Sequence, residues 1–127
     1  MAKEIIHNDR FAQYIGIRLV EAGKGYAVTE LMLNENHLNG LDRVQGGVIF
    51  TLADFTFGVA SNADVATTVG INANISYYKS PVGRVIRAVA KEISSQNKIC
   101  GYEVSVLDED GSIIAYVHGL GYTKSKK

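Results

Sequence analysis

Asp54 is the only charged side chain between Val44 and Ala63, the most apolar stretch of the chain. An ionised carboxylate buried there without a partner would cost on the order of several kcal/mol. Aspartate is also a poor interior helix residue, because its side chain competes for backbone hydrogen bonds. Its neighbours at helical spacing are Phe50, Thr51, Phe57 and Gly58, so no cation on the same helix offsets the charge. Gly47, Thr51, Asp54, Gly58 and Ser61 fall on one helical face, a small and polar stripe along which a ligand can reach the carboxylate. Such surroundings raise a carboxyl pKa, which prepares a general base. The competing reading is structural: an ion pair with Arg18, Arg84 or Arg87 brought in from a strand, or a bond to a backbone N–H at a bend. Spacing alone leaves both open.

Gly46-Gly47 opens the same segment. Two glycines admit a substrate close to the backbone, and the first N–H groups of a helix are unpaired donors. With the helix dipole they can hold a developing oxyanion; the same pair also suits a tight junction between loop and helix. Asn39-Gly40 is an ordinary turn signal. His7, His37 and His118 show no metal-ligand spacing and there is one cysteine, so no zinc site is expected and the histidines read as surface or packing residues. No phosphate-loop, dinucleotide or Gly-x-Ser-x-Gly pattern occurs.

The elements that must position these residues can be read from periodicity. Asn8 is a candidate cap for a short helix through Tyr14 that stops at Gly16. Segments 17–22 and 26–33 flank Gly23-Lys24-Gly25 and read as a hairpin. A polar loop, 34–44, leads to the longest helix, 46–62, where Val48, Leu52, Phe55 and Val59 form one apolar stripe. From Thr67 the period becomes two: Val69, Ile71, Ala73, Ile75 and Tyr77 make a strand with one apolar face. Pro81 and Gly83 break it, strands follow over 84–95 and 98–107, and Asp108-Glu109-Asp110-Gly111 turns into a last strand, 112–123. The expected fold is α+β: one helix buried on all sides, with four of the antiparallel strands in meander, the sheet wrapped around it.

The 127 residues suit a single domain, and a hydrophobic content of 46% supports a core without disulfide or structural metal. Thirteen basic residues balance thirteen acidic ones, which gives no electrostatic footprint for nucleic acid or an anionic membrane. Lys124, Lys126 and Lys127 read as a solvated tail. The lone Cys100 suits a reducing cytoplasm, the opening MAKEIIHNDR has no apolar signal-peptide core, and no segment is a clean membrane span.

Taken together, Asn39-Gly40, then Gln45-Gly46-Gly47, then Leu52-Ala53-Asp54 resemble the signature of the PaaI-like (phenylacetic acid degradation-type) hotdog thioesterases: Asn-Gly, four residues, His-Gly-Gly, four residues, Leu-Ala-Asp. The run Asn74 to Gly83 is similar to the strand and turn that follow, so the resemblance spans nearly the whole chain. It implies a hotdog fold, a curved antiparallel sheet around a central helix. It also implies a homodimer with active sites at its interface, often doubled to a homotetramer, acting on acyl-CoA. No cofactor is implied, since coenzyme A is part of the substrate.

By position, the resemblance makes Asp54 the catalytic carboxylate and Gly46 N–H the donor to the thioester carbonyl from the neighbouring subunit. Asn39 would help position water or substrate. Two departures stand out: the family histidine is Gln45 here, which can donate a hydrogen bond but cannot titrate, and a family Ser/Thr falls near Gly70, with Thr67 or Thr68 as a weak substitute. Gly47 and Thr51 are candidate substrate-binding residues; Phe50, Phe57 and Tyr77 are candidate walls for the acyl group and equally candidates for the core, and Lys79 and Arg84 are candidates for the nucleotide phosphates. A non-catalytic acyl-CoA-binding protein stays as an alternative that Gln45 and Gly70 favour. A hotdog dehydratase or hydratase is the other, which the lack of a histidine near Asp54 disfavours.

Overall fold

The computed structural model describes residues 4, 8–63 and 67–124; His7, Lys126 and Lys127 lie outside them. Helix α1, Arg10–Ile15, is capped by Asp9, whose carboxylate accepts from the Ala12 N–H at 2.9 Å, and it ends at Gly16 with φ 101°. The cap is therefore Asp9 rather than Asn8: the carboxylate stands three residues before the amide it satisfies, as an N-cap must. Strands β1, Ile17–Gly23, and β2, Tyr26–Met32, form the expected hairpin, with Gly25 at φ 73° in its two-residue turn. The loop after β2 contains a 3-10 turn, Glu35–His37, and leads to helix α2, Gly46–Ser61. Strands β3, Thr68–Tyr77, β4, Val85–Gln96, β5, Ile99–Leu107, and β6, Ile113–Thr123, complete the chain.

One antiparallel sheet takes the order β1-β2-β4-β5-β6-β3 and curves around α2, the hotdog arrangement. The expectation of a four-strand meander is corrected: β4, β5 and β6 form one, but β3 crosses to the far edge and pairs with β6. Sequence neighbours need not pair when an edge elsewhere offers an open ladder. Bulges at Leu19/Glu21, Gly70/Asn72, Glu92/Ser94 and Val106/Leu107 bend the strands, which lets six of them curl around a single helix.

Val48, Leu52, Phe55 and Val59 of α2 are buried, as their spacing predicts, against a concave face built largely of small residues: Ala27, Thr29, Ala88, Ala90 and Ala115. Small side chains bring the helix close to the sheet. Inside this contact Thr56 Oγ1 donates to the Leu52 carbonyl at 2.6 Å and stands 2.6 Å from Thr29 Oγ1, so a buried hydroxyl pair ties α2 to β2 with both oxygens satisfied. The helix is not enclosed on all sides, however, since Gly47 and Asp54 face outward. Among the described residues no helix is long and apolar enough to cross a membrane.

Strand β3 is clamped to α2 at both ends. Asn62, after the last turn of α2, donates from Nδ2 to the Thr68 carbonyl at 3.0 Å and accepts from the Thr68 N–H at 2.8 Å. At the other end Tyr77 Oη donates to the Gly46 carbonyl at 3.0 Å. The apolar face read from the period of β3 is only partly covered: Ile75 packs against the core, while Val69, Ile71 and Tyr77 are each about half exposed. As an edge strand, β3 also leaves its outer N–H and C=O groups without a partner strand among the described residues.

Beyond β3, the loop carrying Lys79 and Arg84 is fixed by the β5–β6 turn. The buried Asp108 carboxylate accepts from the N–H groups of Val82 (2.9 Å), Gly83 (3.0 Å) and Glu109 (2.8 Å), and its Oδ2 lies 3.2 Å from Lys79 Nζ. Burial by itself would raise its pKa; these four donors outweigh it and hold the carboxyl at about 2. Because the folded pKa lies below the unfolded one, this contribution to stability is complete above about pH 4 and fades as the pH falls through about 2. Asp108→Asn is expected to cost about 2 kcal/mol at neutral pH, the scale of a charge-assisted hydrogen bond. In urea melts from pH 7 to pH 2 the gap from wild type should narrow below about pH 4.

Candidate active site

The outward stripe of α2 and the inner side of β3 enclose a cleft of about 170 Å³. Asp54 and Phe57 line it from α2, Gly70 to Ala73 from β3, Val104 from β5, and Val117 and Gly119 from β6. The carboxylate of Asp54 makes no hydrogen bond or ion pair with any described residue, which removes the structural alternatives. Arg18 and Arg87 both pair with Glu30, and Arg84 lies in a separate groove beside Arg43, Val44 and Pro81. Asp54 keeps one side open to solvent, yet the apolar mass around it pushes its pKa above the ordinary carboxylate range. The carboxylate of Asp9, held in place as the cap of α1, adds to the rise by like-charge repulsion.

At the start of α2, Gln45 is exposed and makes no side-chain cap, while its backbone N–H donates to the His37 carbonyl at 2.8 Å. Among the described residues the Gly46 and Gly47 N–H groups have no acceptor, as the first turn of a helix requires. A Cβ on Gly46 would come within 3.4 Å of the Tyr77 ring, so the glycine lets that ring close over the helix start. Asn39 organises its loop: Oδ1 accepts from the Leu41 N–H at 2.8 Å and the Arg43 N–H at 3.2 Å, leaving Nδ2 without a partner among the described residues. The signature residues thus sit at two places, Asn39 to Gly47 at the head of α2 and Asp54 two turns on.

Other expected residues divide. Phe57 lines the cleft, whereas Thr51 is half-buried and its hydroxyl donates back to the Gly47 carbonyl at 2.7 Å. Tyr77 stands at the helix start rather than beside Asp54. Lys79 is engaged with Asp108 and with Ser112 Oγ, 2.6 Å away, while Arg84 is exposed. Gly70 lies in the cleft wall without a hydroxyl to offer; Thr68 is buried and stands 3.0 Å from Thr123 Oγ1, away from the cleft. His37 is a packing residue: Nδ1 accepts from the Asn34 N–H at 3.0 Å and Nε2 lies 2.8 Å from the Ile15 carbonyl, so both nitrogens are engaged. Among the described residues no cluster of His, Cys, Asp and Glu could hold a metal. Val104 shares the apolar strand face of Tyr102 and Val106 that period two predicts, and Asp9 is legible as a cap residue before an amphipathic turn; Val117 and Gly119 carry no local signal for a site.

A carboxyl whose folded pKa is raised is more stable protonated, so the native state loses stability as the pH rises through that range. Asp54→Asn should therefore melt above wild type at pH 7, with the difference closing below about pH 4 in thermal melts across that interval. Asp9→Asn, which keeps a capping side chain, should lower the Asp54 titration midpoint followed by carbon-13 NMR.

No family model matches the chain. A relative from Archaeoglobus fulgidus named "Putative esterase" is 34% identical over 116 residues, covering 91% of this chain and 75% of the relative. The acyl-coenzyme A thioesterase PaaI of Escherichia coli is 24% identical over 122 residues, 95% of this chain and 87% of its own. The E. coli PaaI structure matches at a TM-score of 0.93 with 22% identity, over 98% of this chain and 91% of that one. A Thermus thermophilus PaaI variant matches at 0.82 with 26% identity, over 90% and 98%. By its signature, its curled sheet around one helix and these relatives, the chain belongs to the PaaI-like family of hotdog thioesterases.

Proposed function

We propose that the protein hydrolyses acyl-CoA thioesters to free acid and coenzyme A, with Asp54 as the catalytic carboxylate. The observation that carries this reading is a carboxylate without a partner among the described residues, its pKa raised, set in an apolar cleft and open on one side. A group in that state is poised to take a proton from water or to attack a carbonyl. Its neighbours supply hydrophobic walls for an acyl group, with no cation among the described residues that line the cleft.

The oxyanion donor must come from a second copy. Gly46 and Asp54 are eight residues apart on one helix, about 12 Å along its axis, while both must lie about 3 Å from the reacting groups. The exposed apolar row and open ladder of β3 suit edge-to-edge pairing of two copies, which would bring the head of one α2 toward the Asp54 cleft of the other. A dimer of such dimers gives the homotetramer.

In this mechanism the thioester carbonyl accepts from the partner's helix start, at the N–H that corresponds to Gly46, and the helix dipole stabilises the oxyanion. Asp54 either draws a proton from water, which attacks the carbonyl carbon, or attacks it directly to give a mixed anhydride that water then opens. In both routes the carbon–sulfur bond breaks and the thiolate takes up the proton that water supplies. Gln45, free at the helix start, donates a neutral hydrogen bond near the sulfur or carbonyl, and Asn39 Nδ2 holds water or substrate. The exposed Arg84, with Lys79 behind it, meets the nucleotide phosphates. A dehydratase reading loses support from His37, whose ring nitrogens are already occupied.

Thiol release from a panel of acyl-CoAs tests the reading. Wild type should turn over at least one member, and Asp54→Asn should fall by about a hundredfold or more, the scale of a lost base. Tight binding without turnover by wild type would replace hydrolysis with acyl-CoA binding alone. Single turnover in oxygen-18 water tests the anhydride route, since label enters the Asp54 carboxyl only when water opens an anhydride at the Asp54 carbonyl carbon. Hydroxylamine trapping of an Asp54 acyl intermediate covers opening at the acyl carbon.

A further inference from the structure

The ring of Phe57 occupies a place that three glycines on two neighbouring strands leave vacant. It is buried, 7% exposed, one turn beyond Asp54 and about 4.5 Å further along the helix. A Cβ would stand 3.4 Å from the ring at Gly70, 3.8 Å at Gly119 and 3.1 Å at Gly121. Gly70 and Gly121 are direct cross-strand partners on β3 and β6, so the ring lies against bare backbone on two strands. The Tyr102 ring meets it edge-on, with centroids 5.2 Å apart and planes at 82°. Locked on these sides, the ring has little freedom to swing away.

Behind it lies a second cavity, of about 260 Å³, at the far end of α2. Its inner end is formed by Ala60, Thr68, Cys100 and Tyr102, and its rim is polar. The residues around the distal edge of Phe57 belong to this cavity. Tyr102 touches the ring, and a Cβ on Gly121 that met the ring would also meet Thr68 Cγ2 at 2.6 Å and Cys100 Sγ at 3.0 Å. Phe57 itself walls the Asp54 cleft, and its far edge packs against Tyr102, one of the residues that wall the second cavity.

We infer that Phe57 is the specificity-determining stop of the acyl pocket, limiting it to short acyl groups and sealing it from the cavity behind. The inference rests on the thioesterase reading of the Asp54 cleft. The cleft is about 170 Å³, and an apolar cavity of about 150 Å³ accommodates a molecule the size of benzene. An acyl group of a few carbons fills that space; a longer chain runs into the ring. Without the ring, cleft and cavity join, and a chain can continue along Ala60, Cys100 and Tyr102.

Butyryl-CoA and dodecanoyl-CoA are the probes, measured as kcat/KM on wild type and as affinity by calorimetry on Asp54→Asn, which binds without turnover. Wild type should favour butyryl-CoA at least tenfold, and Phe57→Ala should erode or reverse that ratio by at least tenfold. Because loss of a core ring threatens folding, Phe57→Leu is measured beside it and should move the ratio the same way by less. Equal use of both probes by wild type, or an unchanged ratio in folded Phe57 variants, overturns the stop while leaving hydrolysis intact. If wild type hydrolyses neither probe but the affinities keep the ordering and its loss in the Phe57 variants, the stop stands and the hydrolytic reading falls. Binding of neither probe overturns the stop, and hydrolysis is then decided by the wider acyl-CoA panel.

Discussion

The structure depends on enclosing a sixteen-residue apolar helix with only six strands. A flat sheet would leave much of α2 in water, so the strands must curl, and the four bulges give them the bend. The sheet must also let the helix come close. Alanines and Thr29 stand beneath its centre, and the glycines of β6 stand beneath Phe57. The enclosure explains why the chain places small residues at facing positions of β2, β4 and β6, where ordinary strand preference would favour bulkier ones.

The enclosure is incomplete on one side, and the chemistry follows from that. On its open face α2 carries Gly47, Thr51, Asp54, Gly58 and Ser61, and β3 crosses this region pinned at Asn62 and at Gly46. Between the two clamps the strand stands off far enough to leave the cleft. A carboxylate there is destabilising in its charged form, because apolar neighbours replace water without supplying a counter-charge. Protein sites that tolerate such a cost are disproportionately functional ones. The edge position of β3 adds a second liability, an exposed apolar row beside an unpaired ladder.

Around this centre the loops are held by polar groups whose bonding capacity is used locally. Asp108 binds three backbone N–H groups and Lys79, Asn34 caps the 3-10 turn, and His37 joins that turn to the end of α1. Gly83 lies against the Glu109 side chain so closely that a Cβ would come within 2.5 Å of its Cβ. Cys100 belongs to the same class of inert interior groups: burial raises its thiol pKa, which removes it from nucleophilic chemistry at neutral pH. Among the described residues, the Asp54 carboxylate, the N–H groups of Gly46 and Gly47 and the Asn39 amide nitrogen are left unengaged, and these are the groups with chemistry to offer.

Much of this was legible in the one-dimensional pattern. The apolar stripe of α2, the β1–β2 hairpin, the acidic turn before β6 and the isolated Asp54 are local signals, readable because helix and strand periodicity put neighbours in sequence on known faces. The family signature from Asn39 to Asp54 is also contiguous, which is why the fold could be expected before the strands were placed. What local pattern could not carry was pairing across distance. That β3 leaves the meander for the β6 edge depends on which ladder is open after the others have formed. That Phe57 meets three glycines, two of them more than sixty residues away, depends on the curl of the sheet. Whether Asp54 had an ion-pair partner was likewise undecidable from spacing, since all three candidate arginines lie on or beside other strands. Two of them reached Glu30 instead, and the tertiary structure left the carboxylate without an ion-pair partner among the described residues.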